Sequence, residues 1–322
     1  MKAIGGYFEL ELPEAHDFPH SDGILLNSGR HALEYILASL PVKPKRVWLP
    51  YYTCEVVLQP FKRLGIDVSF YNVNASFEID DYPACHEDEY IVANNYFGIK
   101  DAYIANLYRV YKERLIMDCA QAFYMEEITG AMQFYSPRKF FGIPDGGMAF
   151  TPYSSESTSP MVNDESCLRC THLLKRIDIG SSEGYADFRR NSEIIGCQHI
   201  KNMSRLTRRM LESIEYERAR QKRLSNYVVL DNALGDLNML KLPAMSSFAC
   251  PMVYPFMTEN ISLRKRLIDN KIFVATYWPN VLTWRLPNTI EYSLANNILP
   301  LPIDQRYSAE DMNRIISIVK QT

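Results

Sequence analysis

Residues 89–118 read EYIVANNYFGIKDAYIANLYRVYKERLIMD. The opening run, 89–94, is short and apolar and reads as a buried strand; a second such strand is expected over 114–117, just before Asp118. Between them DAYIANLYRVYKER carries helical periodicity. Strand, helix, strand is a βαβ unit, and such units build a mostly parallel sheet.

The pattern continues upstream. Ile24-Leu25-Leu26 runs into the turn Asn27-Ser28-Gly29-Arg30 and a helical HALEYILASL. Val47-Trp48-Leu49-Pro50 is a further strand, ending in Tyr51-Tyr52-Thr53. EVVLQPFKRLG is amphipathic and stops at Gly65, a helix C-cap, and residues 66–72 read as a strand. Residues 4–12 alternate and also read as a short strand. In parallel sheets functional groups collect beyond the carboxyl ends of strands, which singles out the loops after Leu26, Leu49, Val92 and Met117. Downstream, 151–169 reads as a surface loop and 184–230 as long exposed helices, with Arg208-Arg209 and Lys222-Arg223 as solvated faces. Residues 246–257 read as a strand, SLRKRLIDN as a helix and IFVATYW as a strand. SAEDMNRIISIVKQT reads as a closing helix opened by a Ser–x–x–Asp cap. The expected architecture is α/β, a large domain over 1–200 with a mostly parallel central sheet, then a linker helix and a small α+β domain over 201–322.

The chain has 322 residues, 47% hydrophobic and 23% charged, with a net charge of −3. That composition is globular, and a weakly acidic chain is a poor partner for a phosphate backbone, so nucleic acid is set aside. No apolar run is long enough for a membrane helix, and glutamates interrupt the N-terminal stretch, which excludes a secretory signal. The expectation is a cytoplasmic protein without membrane or nucleic-acid partners. The seven cysteines, an odd and scattered set, read as reduced thiols. Cys167 and Cys170 read as free thiols in a polar loop, not as a metal site.

The chemistry concentrates in 114–150. Asp118 ends an apolar strand, where a carboxylate needs a cationic partner or a site. Lys139 stands among Phe134, Tyr135, Phe140 and Phe141, an apolar surround that would favour the free, nucleophilic amine. Asp145-Gly146-Gly147 forms a tight turn before the next strand. Tyr96 and Phe97 read as packing residues, and Tyr277-Trp278-Pro279 as the edge of an apolar core.

Taken in order, these residues resemble the pyridoxal-phosphate (PLP) aminotransferases of fold type I, specifically the DegT/DnrJ/EryC1/StrS group of nucleotide-sugar aminotransferases. Asp118-Cys119-Ala120-Gln121-Ala122 resembles the group's Asp-x-Ala-Gln-Ala strand end. Lys139 followed six residues later by Asp145-Gly146-Gly147 resembles its Lys…Glu-Gly-Gly spacing, with Asp in place of Glu. Asn27-Ser28-Gly29-Arg30 resembles its phosphate turn, Leu49-Pro50-Tyr51-Tyr52-Thr53 its loop over the cofactor ring, Asn95-Tyr96-Phe97-Gly98 a short loop, Met203-Ser204 its linker helix, and Ile298-Leu299-Pro300-Leu301-Pro302 its C-terminal Leu-Pro motif. The group's serine five residues before the lysine is Phe134 here, and the nearest serine is Ser136.

The resemblance implies a homodimer in which Lys139 binds the cofactor's aldehyde carbon and shuttles a proton. It implies that Asp118 pairs with the pyridine nitrogen and Gln121 with the ring oxygen. It places Ser28, Gly29, Arg30 and Ser136 at the phosphate and Tyr52 or Cys54 near the ring face. The implied reaction moves an amino group from an amino-acid donor, glutamate foremost, to a keto sugar of a nucleotide-sugar, in surface-polysaccharide or related sugar biosynthesis. A non-sugar acceptor, or an inactive relative that binds a sugar nucleotide, stays open at this point.

Overall fold

The computed structural model describes residues 4–154 and 161–321. Residues 155–160, within the loop expected over 151–169, lie outside the described residues. Seven strands form one sheet: β1 (Ile24–Leu26), β2 (Arg46–Pro50), β3 (Asp67–Tyr71), β4 (Glu89–Asn94), β5 (Leu115–Cys119), β6 (Met132–Tyr135) and β7 (Gly147–Phe150). Their order is β1-β7-β6-β5-β4-β2-β3. Strands β3, β2, β4, β5 and β6 run parallel, and β7 is antiparallel to both its neighbours.

The helices α1 (Gly29–Ser39), α2 (Leu58–Leu64) and α3 (Asp101–Tyr111) provide the early crossovers. Strand residues alternate between two buried faces. Val92 and Ile116 pack with Leu33 and Ile36 of α1 and Phe61 of α2. Ile91, Ala93, Leu115 and Met117 pack on the opposite face with Ile104 and Leu107 of α3. Burial on both faces explains why the strands read as continuous apolar runs. α2 ends at Gly65, whose φ of 60° is the left-handed cap expected there.

Next come α4 (Thr171–Asp178), α5 (Tyr185–Cys197), α6 (Arg205–Leu211) and the 19-residue α7 (Tyr216–Leu234). β8 (Tyr254–Met257) pairs antiparallel with β9 (Ile298–Leu301). Around that pair lie α8 (Leu263–Asp269), α9 (Val281–Trp284), α10 (Ile290–Asn297) and α11 (Ala309–Lys320). Ser308 caps α11 in a reciprocal capping box with Asp311, as its sequence pattern indicates. No described helix is long and apolar enough to cross a membrane, and all seven cysteines are free thiols.

Four sequence expectations are corrected. Residues 4–12 form no strand; Ile4, Tyr7 and Phe8 are almost fully exposed, and the segment finds no ladder partner. Its far end is held instead by Arg209, which donates to the carbonyls of Leu12 and Pro13. Of 246–257 only Tyr254–Met257 is strand. Residues 272–278 alternate in burial but are irregular, because Arg264 takes the carbonyls of Val274 and Ala275 that a neighbouring strand would otherwise use. Arg223, expected on a solvated face, is buried at 2% exposure. It donates to Gln305 Oε1, Met252 O and Phe140 O, and its guanidinium sits 4.6 Å from the centroid of the Phe140 ring.

Arg223 therefore ties α7 to the turn that follows Lys139. Arg223→Met removes three donors and leaves buried acceptors unpaired, so it should destabilise the protein by about 3 kcal/mol or more. Chemical denaturation measures this; a loss under about 1 kcal/mol would show that the guanidinium is not holding these segments together.

Candidate active site

The strand order places a topological switch between β2 and β4: the chain leaves β2 toward β3 and returns to β4 on the other side. A crevice opens beyond the carboxyl ends of strands at such a point. A cavity of about 240 Å³ occupies it, walled by Thr53 and Cys54 after β2, Asn94 at the end of β4, Asp118 and Gln121 from the end of β5, and Ser136, Arg138 and Lys139 after β6. Register aligns these groups, with Asn94 opposite Asp118 and Asp118 opposite Phe134.

Asp118 lies at the cavity wall, and its Oδ1 accepts the Ala120 N–H at 2.8 Å. Burial pushes its carboxyl above the ordinary value of 3.8, while the Lys139 ammonium and the Ala120 N–H pull it back. Lys139 closes a single 3-10 turn, Pro137–Lys139, and its N–H donates to Ser136 O at 3.1 Å. Asp118 and Lys139 share one cavity, as the sequence reading requires. The surroundings of Lys139 differ from expectation. Its side chain is exposed along the cavity, whereas Phe140 and Phe141 turn into the core and do not wrap the amine. A one-turn helix sends successive side chains to different sides, so sequence neighbours are not spatial neighbours here.

Two amides leave polar atoms unused. Gln121 Oε1 accepts from the Phe97 N–H at 2.9 Å, and its buried Nε2 has no partner. Asn94 Nδ2 donates to Thr53 Oγ1 at 3.0 Å, and its buried Oδ1 has none. Each such atom costs about 1–3 kcal/mol unless something binds it.

At the other end of the cavity, Ser28 caps α1, its Oγ accepting from the His31 N–H at 3.2 Å. Gly29 leaves no room for a side chain: an added Cβ would lie 3.0 Å from Ser136 Cβ. Gly147 packs still closer, an added Cβ lying 2.1 Å from the Ser28 carbonyl carbon. Gly146, at φ 120°, donates its N–H to Asn27 O at 3.0 Å. The two glycines after Asp145 thus hold the Ser28–Gly29 turn against Ser136. Asp145 itself is fully buried, 3.7 Å from Arg169 Nη2, and does not line the cavity.

Arg30, Cys54 and Ser136 line the cavity as expected. Burial pushes the Cys54 thiol up, against pulls downward that include the Lys139 and Arg30 charges. Tyr52 does not line it. The ring lies in a closed aromatic cluster, 5.3 Å from Tyr96 and 5.2 Å from Trp278 between centroids, so it is a core residue behind the wall. Tyr277 and Trp278, read as core edge, are part of the wall. Sequence reasoning missed Asn94, Arg138 and Ser192. Arg138 is adjacent to Lys139 in sequence, a signal that was available; Ser192 comes from α5 and had none.

No family profile matches the chain, and no curated protein matches it. Among solved structures, it is similar to the sugar aminotransferase CalS13 of Micromonospora echinospora, at 15% identity and TM-score 0.59, over 92% of this chain and 86% of that one. It is likewise similar to a DegT DnrJ EryC1 StrS aminotransferase of Brucella abortus, at 17% identity and TM-score 0.60, over 92% and 84%. The aminotransferase TlmJ of Streptoalloteichus hindustanus matches at 15% identity and TM-score 0.63, over 92% and 84%. The chain shares the fold of these proteins, the fold type I architecture that its motif order resembles.

Because burial raises the Asp118 carboxyl, its ionised form opposes folding above the usual carboxylate range. In the ligand-free protein Asp118→Asn should therefore raise the melting temperature at neutral pH. The gain should close as pH falls below 3.8, where the folded and unfolded chains both hold the proton. Melting curves at neutral and acid pH test this, and a less stable variant at neutral pH would refute it.

Proposed function

We propose that this protein is a PLP-dependent aminotransferase that transfers an amino group from an amino-acid donor, glutamate foremost, to the keto group of a nucleotide-linked sugar. The observation that carries the reading is that Asp118 and Lys139 line one cavity at the switch point, with a buried, unpaired Gln121 Nε2 beside them. The residues present suit the cofactor. The Asp118 carboxylate, desolvated and without an ion-pair contact among the described residues, is matched to a protonated pyridine nitrogen. Gln121 Nε2 is a free donor for the ring oxygen. The Ser28–Gly29 turn opens an 11-residue helix whose N–H groups favour a phosphate.

When bound, PLP supplies an electron sink for charge developing at the donor's α-carbon. Lys139 would have two tasks toward it: its amine would hold the cofactor at the aldehyde carbon, and as a free amine it would move the donor's α-proton as general base and acid. Its exposure along the cavity gives it room for both. Asp118 would keep the pyridine nitrogen protonated; Cys54 and Tyr277 border the space, and Asn94 Oδ1 offers an acceptor. A sugar acceptor is supported by the naming of CalS13 as a sugar aminotransferase, and the nucleotide link by the motif resemblance alone.

We read 1–200 as the cofactor-binding domain, supported by the seven-stranded sheet within it, and 201–322 as linker helix and small domain, supported by the separate β8–β9 pair. The homodimer reading is supported by exposed apolar side chains on and around α4 and α5, among them Leu168 at 91%, Ile177 at 83% and Tyr185 at 61%. Sedimentation should show a dimer, and a monomer at micromolar concentration would overturn that part.

Borohydride reduction after incubation with PLP should place one adduct on the peptide carrying Lys139, read by mass spectrometry, and Lys139→Ala should carry none. With glutamate and a keto-sugar nucleotide, release of 2-oxoglutarate should match amination of the sugar. Lys139→Ala should slow this by at least about 10²–10⁴-fold. Labelling elsewhere, or none, would refute the cofactor assignment. Labelling without amination of any keto-sugar nucleotide would refute the acceptor.

A further inference from the structure

Arg30, in the first turn of α1, has Arg63 and Arg138 as charged neighbours, and Arg138 has Arg169; the electrostatic situations of the four differ. Arg63 pairs with Glu34 at 2.9 Å, and Arg169 pairs with Asp164 at 2.5 Å. Among the described residues Arg30 and Arg138 have no ion-pair partner, and each buries its Nε without any hydrogen-bond acceptor. What they do touch is neutral. Arg30 donates to Gln59 Oε1; Arg138 donates to Ser192 Oγ at 3.3 Å and sits 5.7 Å from the Phe188 ring centroid.

Both arginines line the cavity, Arg30 next to Gly29 and Arg138 two residues after Ser136, and Gly29 and Ser136 are themselves in close contact. Four charged side chains line the cavity, Arg30, Arg138 and Lys139 against the single carboxylate Asp118, a formal excess of two positive charges. Burial lowers the Arg138 guanidinium to about 10, with nearby Asp145 opposing and Arg169 and Arg30 reinforcing the shift. Two guanidinium groups without an ion-pair partner in one partly buried wall are unfavourable by themselves, and Asp145 eases this only for Arg138. A doubly charged oxyanion between them removes both penalties, and a guanidinium can bond two of its oxygens at once. Phe134, on the same wall, has no donor to offer.

We infer that Arg138 and Arg30 form a two-guanidinium clamp for a phosphate dianion, with Arg138 a ligand-contacting residue of this cavity. The inference rests on the proposed function only for the identity of the phosphate. Two sources carry that group, the cofactor and the nucleotide of the acceptor, and the test separates them.

The full-length protein is titrated calorimetrically with inorganic phosphate, PLP, pyridoxal and UDP, using wild type, Arg138→Gln and Arg138→Lys. Arg138→Gln should weaken phosphate and PLP by about ten- to a hundred-fold, the worth of one charge-assisted hydrogen bond. Pyridoxal, which lacks the phosphate, should still be trapped on Lys139 to the wild-type extent. Arg138→Lys should recover part of the loss, which a merely structural arginine would not allow. Weakening of UDP alone would keep the clamp and assign it to the acceptor. Unchanged affinity for phosphate, PLP and UDP alike, or equal weakening of pyridoxal and PLP, would overturn the clamp while Lys139 labelling still upholds the cofactor reading. Absence of labelling in wild type would instead defeat that reading, and the clamp would stand or fall on inorganic phosphate and UDP.

Discussion

The contact between Gly147 and the Ser28 carbonyl is the constraint on which the cavity depends. Nothing larger than hydrogen fits there. It presses β7 against the start of α1, and the Gly146 N–H fastens the same turn through Asn27 O. Gly29 meets Ser136 less closely, an added Cβ lying 3.0 Å from Ser136 Cβ. Three backbone segments, the α1 turn, the 3-10 turn ending at Lys139 and the entry to β7, are thereby locked together. The spacing from Lys139 to the paired glycines follows from this: it is the length of chain needed to leave the cavity, turn at Asp145 and return beneath Ser28.

Around that lock the protein keeps polar groups unsatisfied. Gln121 Nε2, Asn94 Oδ1 and the Nε atoms of Arg30 and Arg138 are buried without partners, and Asp118 carries its charge in a desolvated position. A core optimised for stability would have paired or removed them. Each belongs to a side chain that lines the same space. The aromatic and aliphatic walls behind them, Tyr52 with Tyr96 and Trp278 on one side and the α1–α2 cluster on the other, supply the rigidity that keeps these atoms from finding substitutes.

Much of this was legible in the chain. The βαβ rhythm, the Ser28 turn, Asp118 and Gln121 at one strand end, Lys139 and the glycine pair are local features, and the fold brings them together where the strand ends predict. The errors share a cause. The alternation in 4–12 and 272–278 is real, yet a strand also needs a ladder partner, which lies elsewhere in the sequence. Lys222-Arg223 reads as a solvated pair, yet Arg223 faces Phe140 and Gln305. Lys139 has aromatic neighbours in sequence that point away from it in space.

The sequence by itself determined the order of elements, the helix caps at Ser28, Gly65 and Ser308, and which residues carry the acid and the amine, because these depend on side-chain period and on backbone geometry within a few residues. Only the tertiary structure decided that Tyr52 is walled off, that Asn94, Arg138 and Ser192 join the cavity, and that Arg223 is buried. Those outcomes depend on which surfaces meet across the sheet and on where each charge finds, or fails to find, a counter-charge, and such pairings arise between residues far apart in the chain.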